Sequence, residues 1–256
     1  MTLKVFITGA SSGIGEALAV YYAGTGARLG LAARRAEALA TLNGRLGGEH
    51  ACYPLDVSDA AALHAAAADF IARFGAPDIV IANAGVSAGT LTECEEDLVA
   101  FRRIMDTNVF GMAATFAPFI PAMKAAGGDK RLVGIASVAG IRGLPGAEAY
   151  SASKAAAIAY LESLRLEMRP YGIKVVTIAP GYIESPMTAV NPYKMPFLLP
   201  VTVAAERFAR VIERGTSYAV IPWPMGVVAK LLRLLPNWLY DRLFVGAPRK
   251  PRGLRG

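Results

Sequence analysis

Along the chain, short and continuously apolar runs alternate with alanine-rich stretches whose apolar positions recur at helical spacing. The runs 3–7, 28–33, 51–54, 79–82, 132–136 and 174–179 predict strands. Between them, 14–24, 37–46, 60–74, a long stretch over 95–125, and 152–169 predict helices. Strands without polar alternation are buried on both faces. Their regular exchange with helices predicts an α/β fold, a doubly wound parallel sheet covered by helices on both sides. Segment 182–202, rich in proline and aromatic residues, breaks the rhythm. Residues 1–220 read as one domain and 221–256 as a C-terminal extension.

Composition supports a well-filled core: of 256 residues, 54% are hydrophobic and 18% charged, which excludes a disordered or fibrous chain. The two cysteines, Cys52 and Cys94, stand at no metal or redox spacing, which fits a reducing cytoplasm and excludes a disulfide scaffold. The first residues lead straight into a strand pattern, so no secretory signal is expected. The net charge of +7 changes the picture through its location: Lys230, Arg233, Arg242, Arg249, Lys250, Arg252 and Arg255 face a single acid, Asp241, beyond Met225. A nearly neutral body with a basic tail argues against a nucleic-acid groove.

The turn after the first strand reads Thr8-Gly9-Ala10-Ser11-Ser12-Gly13-Ile14-Gly15. Glycines allow a sharp turn and close approach of a pyrophosphate, and the following helix offers that anion unpaired N–H groups. A glycine triplet alone is a weak signal; its place in a βαβ unit strengthens it. After the second strand, where an acid often binds a ribose 2′-hydroxyl, stand Arg34 and Arg35. Guanidinium groups there suit a 2′-phosphate, so the pair predicts NADP(H) in preference to NAD(H).

Tyr150 and Lys154 are four residues apart at the start of a helix and share a face, with Ser137 at the end of the preceding strand. A free phenol, with a pKa of about 10, is a poor acid/base near neutrality. A positive charge about 5 Å away, at an effective dielectric near 20, favours phenolate by roughly 3 kcal/mol, or about two pKa units. Ser137 is placed to hydrogen-bond a substrate oxygen. His50 and His64 lack acidic or cysteine neighbours at ligand spacing, so no metal site is expected.

On these motifs the sequence resembles the short-chain dehydrogenase/reductase family over roughly residues 3–190. The resemblance implies a Rossmann-like sheet of about seven parallel strands. It implies cofactor contacts from Gly9, Ser11, Ser12, Gly13, Ile14 and Gly15, and an adenine site at Asp56 and Val57. Asn83, Ala84 and Gly85 would shape the cleft, and Pro180, Gly181, Ile183 and Ser185 would hold the nicotinamide amide. Tyr150 and Lys154 would also touch the ribose, and Asn108 would be a fourth catalytic residue that anchors a relay water. Where the family often has threonine, this chain has Ser185. Family members are commonly homodimers or homotetramers.

The family's substrate cap falls on 187–200, where Tyr193, Met195 and Phe197 favour an apolar substrate. With Ser137 and Tyr150 they form the expected substrate site. The resulting expectation is a hydride transfer between nicotinamide and a carbonyl or secondary alcohol, with a lipophilic substrate such as a keto lipid. A fold-retaining nucleotide sensor is the alternative from another class; the complete Asn108, Ser137, Tyr150 and Lys154 set argues against it. The tail places Lys230, Arg233, Asn237 and Asp241 on one stripe of an otherwise apolar helical pair broken near Pro236. It reads as an anchor on the cytoplasmic face of a membrane, or as helices packed on their own core or on a partner subunit.

Overall fold

The computed structural model describes residues 2–253; Arg255 of the basic tail lies outside the described residues. Strands β1 (Lys4–Thr8), β2 (Arg28–Ala33), β3 (Ala51–Pro54), β4 (Ile79–Ala82), β5 (Arg131–Ile135), β6 (Lys174–Pro180) and β7 (Tyr218–Ile221) form one parallel sheet in the order β3-β2-β1-β4-β5-β6-β7. The order reverses between β1 and β4. A crevice therefore opens outside their carboxyl ends, the place where open α/β sheets bind ligands.

Period-two alternation along the strands explains the unbroken apolar runs. Val5, Ile7, Leu29, Leu31, Ile81 and Val133 point to one face. There they meet α1 (Gly13–Gly24), α2 (Ala36–Arg45) and α9 (Val201–Arg214) through Leu18, Leu39 and Phe208. Phe6, Val80, Leu132 and Val175 point to the other face, against α3 (Ala60–Phe74) and α7 (Glu148–Met168), with Phe70 and Leu161 among the buried contacts. Both faces are dry, so neither set of side chains can be polar.

Two regions differ from the sequence expectation. The long helix over 95–125 is divided into α4 (Asp97–Met105), a π turn (Asp106–Phe110), α5 (Gly111–Phe116) and α6 (Ile120–Ala126). The extra residue in the π turn rotates the following helix and aims Asn108 inward, a use typical of such turns. By composition the 97–126 run is apolar enough to cross a membrane, yet Ile104, Met112, Phe116 and Met123 are buried within the body. The second difference is β7, a short edge strand in which Ile221 is buried while Tyr218, Ala219 and Val220 are exposed or partly covered.

Past β7 the chain forms two further helices in the tail. The short helix α8 (Pro186–Ala189) belongs to the segment after β6, whereas α10 (Trp223–Leu234) and α11 (Asn237–Phe244) make up the extension. Met225, Gly226 and Ala229 bury one face of α10, with Gly226 against Val220. The rest of the extension is fixed by Arg142. Its guanidinium donates to the carbonyls of Leu232 and Leu235, both at 2.8 Å, and to Asn237 Oδ1 at 3.1 Å. It also stacks 4.0 Å from the Tyr240 ring centre, while the Tyr240 hydroxyl donates to Gly143 O at 2.6 Å.

Candidate active site

The crevice is built by locking the ends of β1 and β4 together. Thr8 Oγ1 accepts the N–H groups of Asn83 and Ala84 at 3.1 and 3.2 Å, and Asn83 Nδ2 donates to Thr8 O at 3.0 Å and Gly9 O at 3.3 Å. Gly9 has φ +67°, and a Cβ on it would stand 2.9 Å from Ala84 Cα. A Cβ on Gly15 would lie 2.2 Å from Gly9 O. Neither position admits a side chain, so the turn is held close against the start of α1. Ser12, preceding α1, makes no side-chain cap there, which leaves the first N–H groups of the helix directed into the crevice. Ile14 packs from the same turn onto the core. Such a cradle fits a pyrophosphate.

At the ends of β2 and β3 lie the groups expected around an adenosine. Arg35 reaches back and donates to Ser11 O at 3.1 Å and Ser11 Oγ at 3.2 Å, while Arg34 is exposed and makes no hydrogen bond among the described residues. Asp56 accepts Ser58 N–H at 2.9 Å and pairs with Arg103, beside the buried Val57. Burial alone would raise the Asp56 carboxyl; the Ser58 bonds and Arg103 outweigh it and hold the pKa below its ordinary value.

On the far side, Gly181 donates to Ile221 O at 2.9 Å, which fixes the turn after Pro180. Ile183 is buried and pairs with Leu199. The Ser185 N–H donates to Thr188 Oγ1 at 3.0 Å, which shapes the start of α8, and a Cβ on Gly13 would lie 3.3 Å from Ser185 Cβ. The segment after β6 thus comes down onto the glycine turn. Tyr193 and Met195 are half-buried in it, and Tyr193 packs edge-on to Tyr182 at 6.4 Å. Phe197 is mostly exposed at φ +59°.

Between these walls stand the four residues expected to do chemistry. Ser137 follows β5 and accepts Ala139 N–H at 3.1 Å. Tyr150 and Lys154 come from the first turns of α7, with the ammonium 5.8 Å from the phenol ring centre. Buried Asn108 accepts Val86 N–H at 2.8 Å and donates to Val86 O and to Ser153 Oγ, both at 3.0 Å. Lys154 donates to Ile135 O at 2.9 Å, and burial lowers its pKa to about 8.

Electrostatics here depart from the sequence expectation, in which Lys154 lowers the tyrosine pKa. Burial raises the Tyr150 phenol, and the neighbouring Ser137 hydroxyl only partly opposes it. The Lys154 ammonium, 5.8 Å from the ring centre, is itself desolvated and bonded to Ile135 O. Tyr150 is therefore protonated at neutral pH, the form a proton donor needs. The two histidines stand apart from this site: His50 Nδ1 accepts Leu29 N–H at 3.4 Å, with its pKa lowered by burial and by Arg28, and His64 is exposed on α3.

Ser87 lies at this crevice and was not singled out by the sequence, and Met187 was read only as the first residue of the cap. Both contact the returning C-terminus, through Lys250, and nothing local in either segment signals that contact.

A glycine cradle at a sheet reversal beside a Ser–Tyr–Lys set defines the class of nicotinamide-dependent oxidoreductases with a Rossmann-like fold. The short chain dehydrogenase family model matches residues 3–195. The chain is 40% identical over 240 residues to an uncharacterized oxidoreductase of Myxococcus xanthus, covering 92% of this chain and 93% of that protein. A short chain dehydrogenase from Burkholderia cenocepacia, in complex with NADP, superposes with a TM-score of 0.81 at 26% identity over 94% of this chain and 97% of the other. A short chain dehydrogenase/reductase from Burkholderia phymatum, in complex with NAD, gives 0.82 at 25% identity over 99% and 98%. The chain belongs to the short-chain dehydrogenase/reductase family.

Proposed function

We propose that this protein is an NADP(H)-dependent oxidoreductase that interconverts a lipophilic carbonyl compound and its secondary alcohol, with Tyr150 as acid/base. The observation that carries this reading is the convergence of Ser137, Tyr150, Lys154 and Asn108 beside the glycine cradle. NADPH, when bound, supplies a hydride to the carbonyl carbon. Gly9, Ser11, Ser12, Gly13, Ile14 and Gly15 would hold its pyrophosphate, Asp56 and Val57 its adenine, and Asn83, Ala84 and Gly85 the cleft wall. Pro180, Gly181, Ile183 and Ser185 would hold its nicotinamide end. Tyr150 donates its phenolic proton to the carbonyl oxygen, and Ser137 hydrogen-bonds that oxygen and orients it. Lys154 binds ribose and stabilises the phenolate left behind, and Asn108, clamped to the Val86 backbone, anchors a relay water that resupplies the proton.

The preference for NADP(H) over NAD(H) rests on Arg34 and Arg35, which present guanidinium groups and no acid where a 2′-phosphate sits. The lipophilic substrate rests on the lid residues Tyr193, Met195 and Phe197. Apolar side chains of the extension, among them Trp223, Leu231, Leu234 and Trp238, are exposed on α10 and α11 beside exposed Lys230, Arg233 and Arg242. That combination fits peripheral contact with an anionic membrane surface.

Reduction of ketones of graded chain length with NADPH and with NADH tests the reading. Rising kcat/KM with chain length and a preference for NADPH that Arg34→Asp removes are expected. A preference for NADH, or for short polar ketones, would contradict it. Flotation with vesicles of mixed phosphatidylglycerol and phosphatidylcholine tests the membrane contact: the full chain floats and Trp238→Ser/Leu234→Ser does not. Failure of the full chain to float at low salt would exclude that contact.

A further inference from the structure

Beyond α11 the chain turns back over the rim of the crevice. Gly89 N–H donates to Pro251 O at 2.9 Å, and residues 89 and 252 pair as a parallel bridge. Arg252 bonds Asp97 at 2.7 Å and Glu96 at 2.6 Å, and buried Asp97 also accepts Leu91 N–H at 2.9 Å. The Arg249 stem lies over Gly146, where a Cβ would stand 2.8 Å from Arg249 Cδ.

These pins on both sides leave residue 250 little freedom. Lys250 Nζ donates to Ser87 Oγ at 3.0 Å and to Met187 O at 3.2 Å. Ser87 follows Val86, the residue clamped by Asn108, and the adjoining Ala88 packs with Ala149, next to Tyr150. Met187 is in α8, on the opposite wall. The ammonium thus spans the substrate mouth, from the catalytic wall to the lid.

Its partners there are neutral oxygens, and it enters no ion pair among the described residues. An ammonium has three donors, and two are used. It is half-buried, and burial lowers its pKa to about 8, so it remains mostly charged at neutral pH. A partly desolvated cation without a counter-ion is unfavourable. The Arg252 ion pairs next to it hold it in place, and a ligand carrying a negative charge would complete it.

We propose that Lys250 is a specificity-determining residue that binds an anionic group, a carboxylate or phosphate, on an otherwise apolar substrate. Beside the apolar lid this selects an amphiphile, a long-chain oxo-acid in place of a neutral ketone. The proposal deepens the reading of the same cleft as a site for lipophilic carbonyl compounds.

Calorimetric titration of decanoate and of methyl decanoate into the full-length protein with NADPH tests this without turnover, so failure of the catalytic reading does not obscure the result. Decanoate should bind about tenfold tighter than its ester. Lys250→Met should remove the difference and Lys250→Arg should retain most of it, with NADPH affinity unchanged within about twofold. Lys250→Gln is made alongside, so that poor folding of one variant leaves the comparison intact. Equal binding of acid and ester by the unmodified protein would overturn the proposal. So would undiminished selectivity in the methionine and glutamine variants. Weakened NADPH binding with selectivity intact would assign the anion to the cofactor's diphosphate and overturn it equally.

Discussion

Asn108 grips Val86 through both its amide atoms, accepting the backbone N–H at 2.8 Å and donating to the carbonyl at 3.0 Å. The π turn makes this possible by pointing Asn108 across to the segment after β4. The same side chain reaches Ser153, one residue before Lys154. Asn108→Ala would strand two backbone groups in a buried setting. It should lower stability by about 1–3 kcal/mol and reduce kcat by about 10²-fold. Urea unfolding and steady-state kinetics measure the two effects; a variant with unchanged kcat would remove Asn108 from the catalytic set.

Lys154 gives stability a pH dependence. Its pKa falls from an ordinary 10.5 to about 8 on folding, so between those values the unfolded chain binds more protons than the native protein. Stability then rises with pH over this window, and the full penalty of burying the charge is present below pH 8. The gain from pH 8 to 10 is on the order of 2 kcal/mol for this group. Denaturation at a series of pH values should show the rise, to which Lys250, also lowered to about 8, adds in the same window, and Lys154→Met should remove the Lys154 share of it.

The sheet was legible because strands buried on both faces leave continuous apolar runs, and six strands carry them. β7, Tyr-Ala-Val-Ile, is apolar too, but it is only four residues long at a partly covered edge and runs straight into the apolar extension; it was implied only by the family resemblance. Within 95–125, Pro118 and Pro121 are local signs of the break between α5 and α6, whereas the π turn left none, because it is tied to Asn108 meeting Val86 far away in sequence. Tyr150, Lys154 and Ser137 were legible by spacing and order. The raised Tyr150 pKa was not, since desolvation is a property of the packed site. Lys250 and Arg252 were read only as members of a charged tail; their partners Ser87, Glu96 and Asp97 come close only when the chain folds back.

Gly15→Ala places a methyl group 2.2 Å from Gly9 O and 2.5 Å from Asn83 Nδ2. Backbone and the Thr8–Asn83 lock must shift to admit it. NADPH binding, followed by fluorescence titration, should weaken by about 100-fold or more, equivalent to about 3 kcal/mol. Unchanged affinity would show that the turn is not the pyrophosphate cradle.

Arg142 holds the extension to the body through Leu232 in α10, Leu235 in the connection, Asn237 in α11 and the Tyr240 ring. Arg142→Met should release the extension first. Amide exchange over 223–244 is expected to accelerate by about 10- to 100-fold, corresponding to a loss of about 1–3 kcal/mol locally. Exchange in β1 and β4 should stay as it was, and uniform acceleration throughout would mean that Arg142 supports the whole fold.

The central claim is that Tyr150 is the proton donor, and Tyr150→Phe tests it most directly. The substitution removes one oxygen and leaves the ring in place beside Lys154. With NADPH and a long-chain ketone, kcat should fall by about 10³-fold or more, while the NADPH dissociation constant stays within about twofold. A phenylalanine variant that turns over at a rate near that of the unmodified protein would contradict the account.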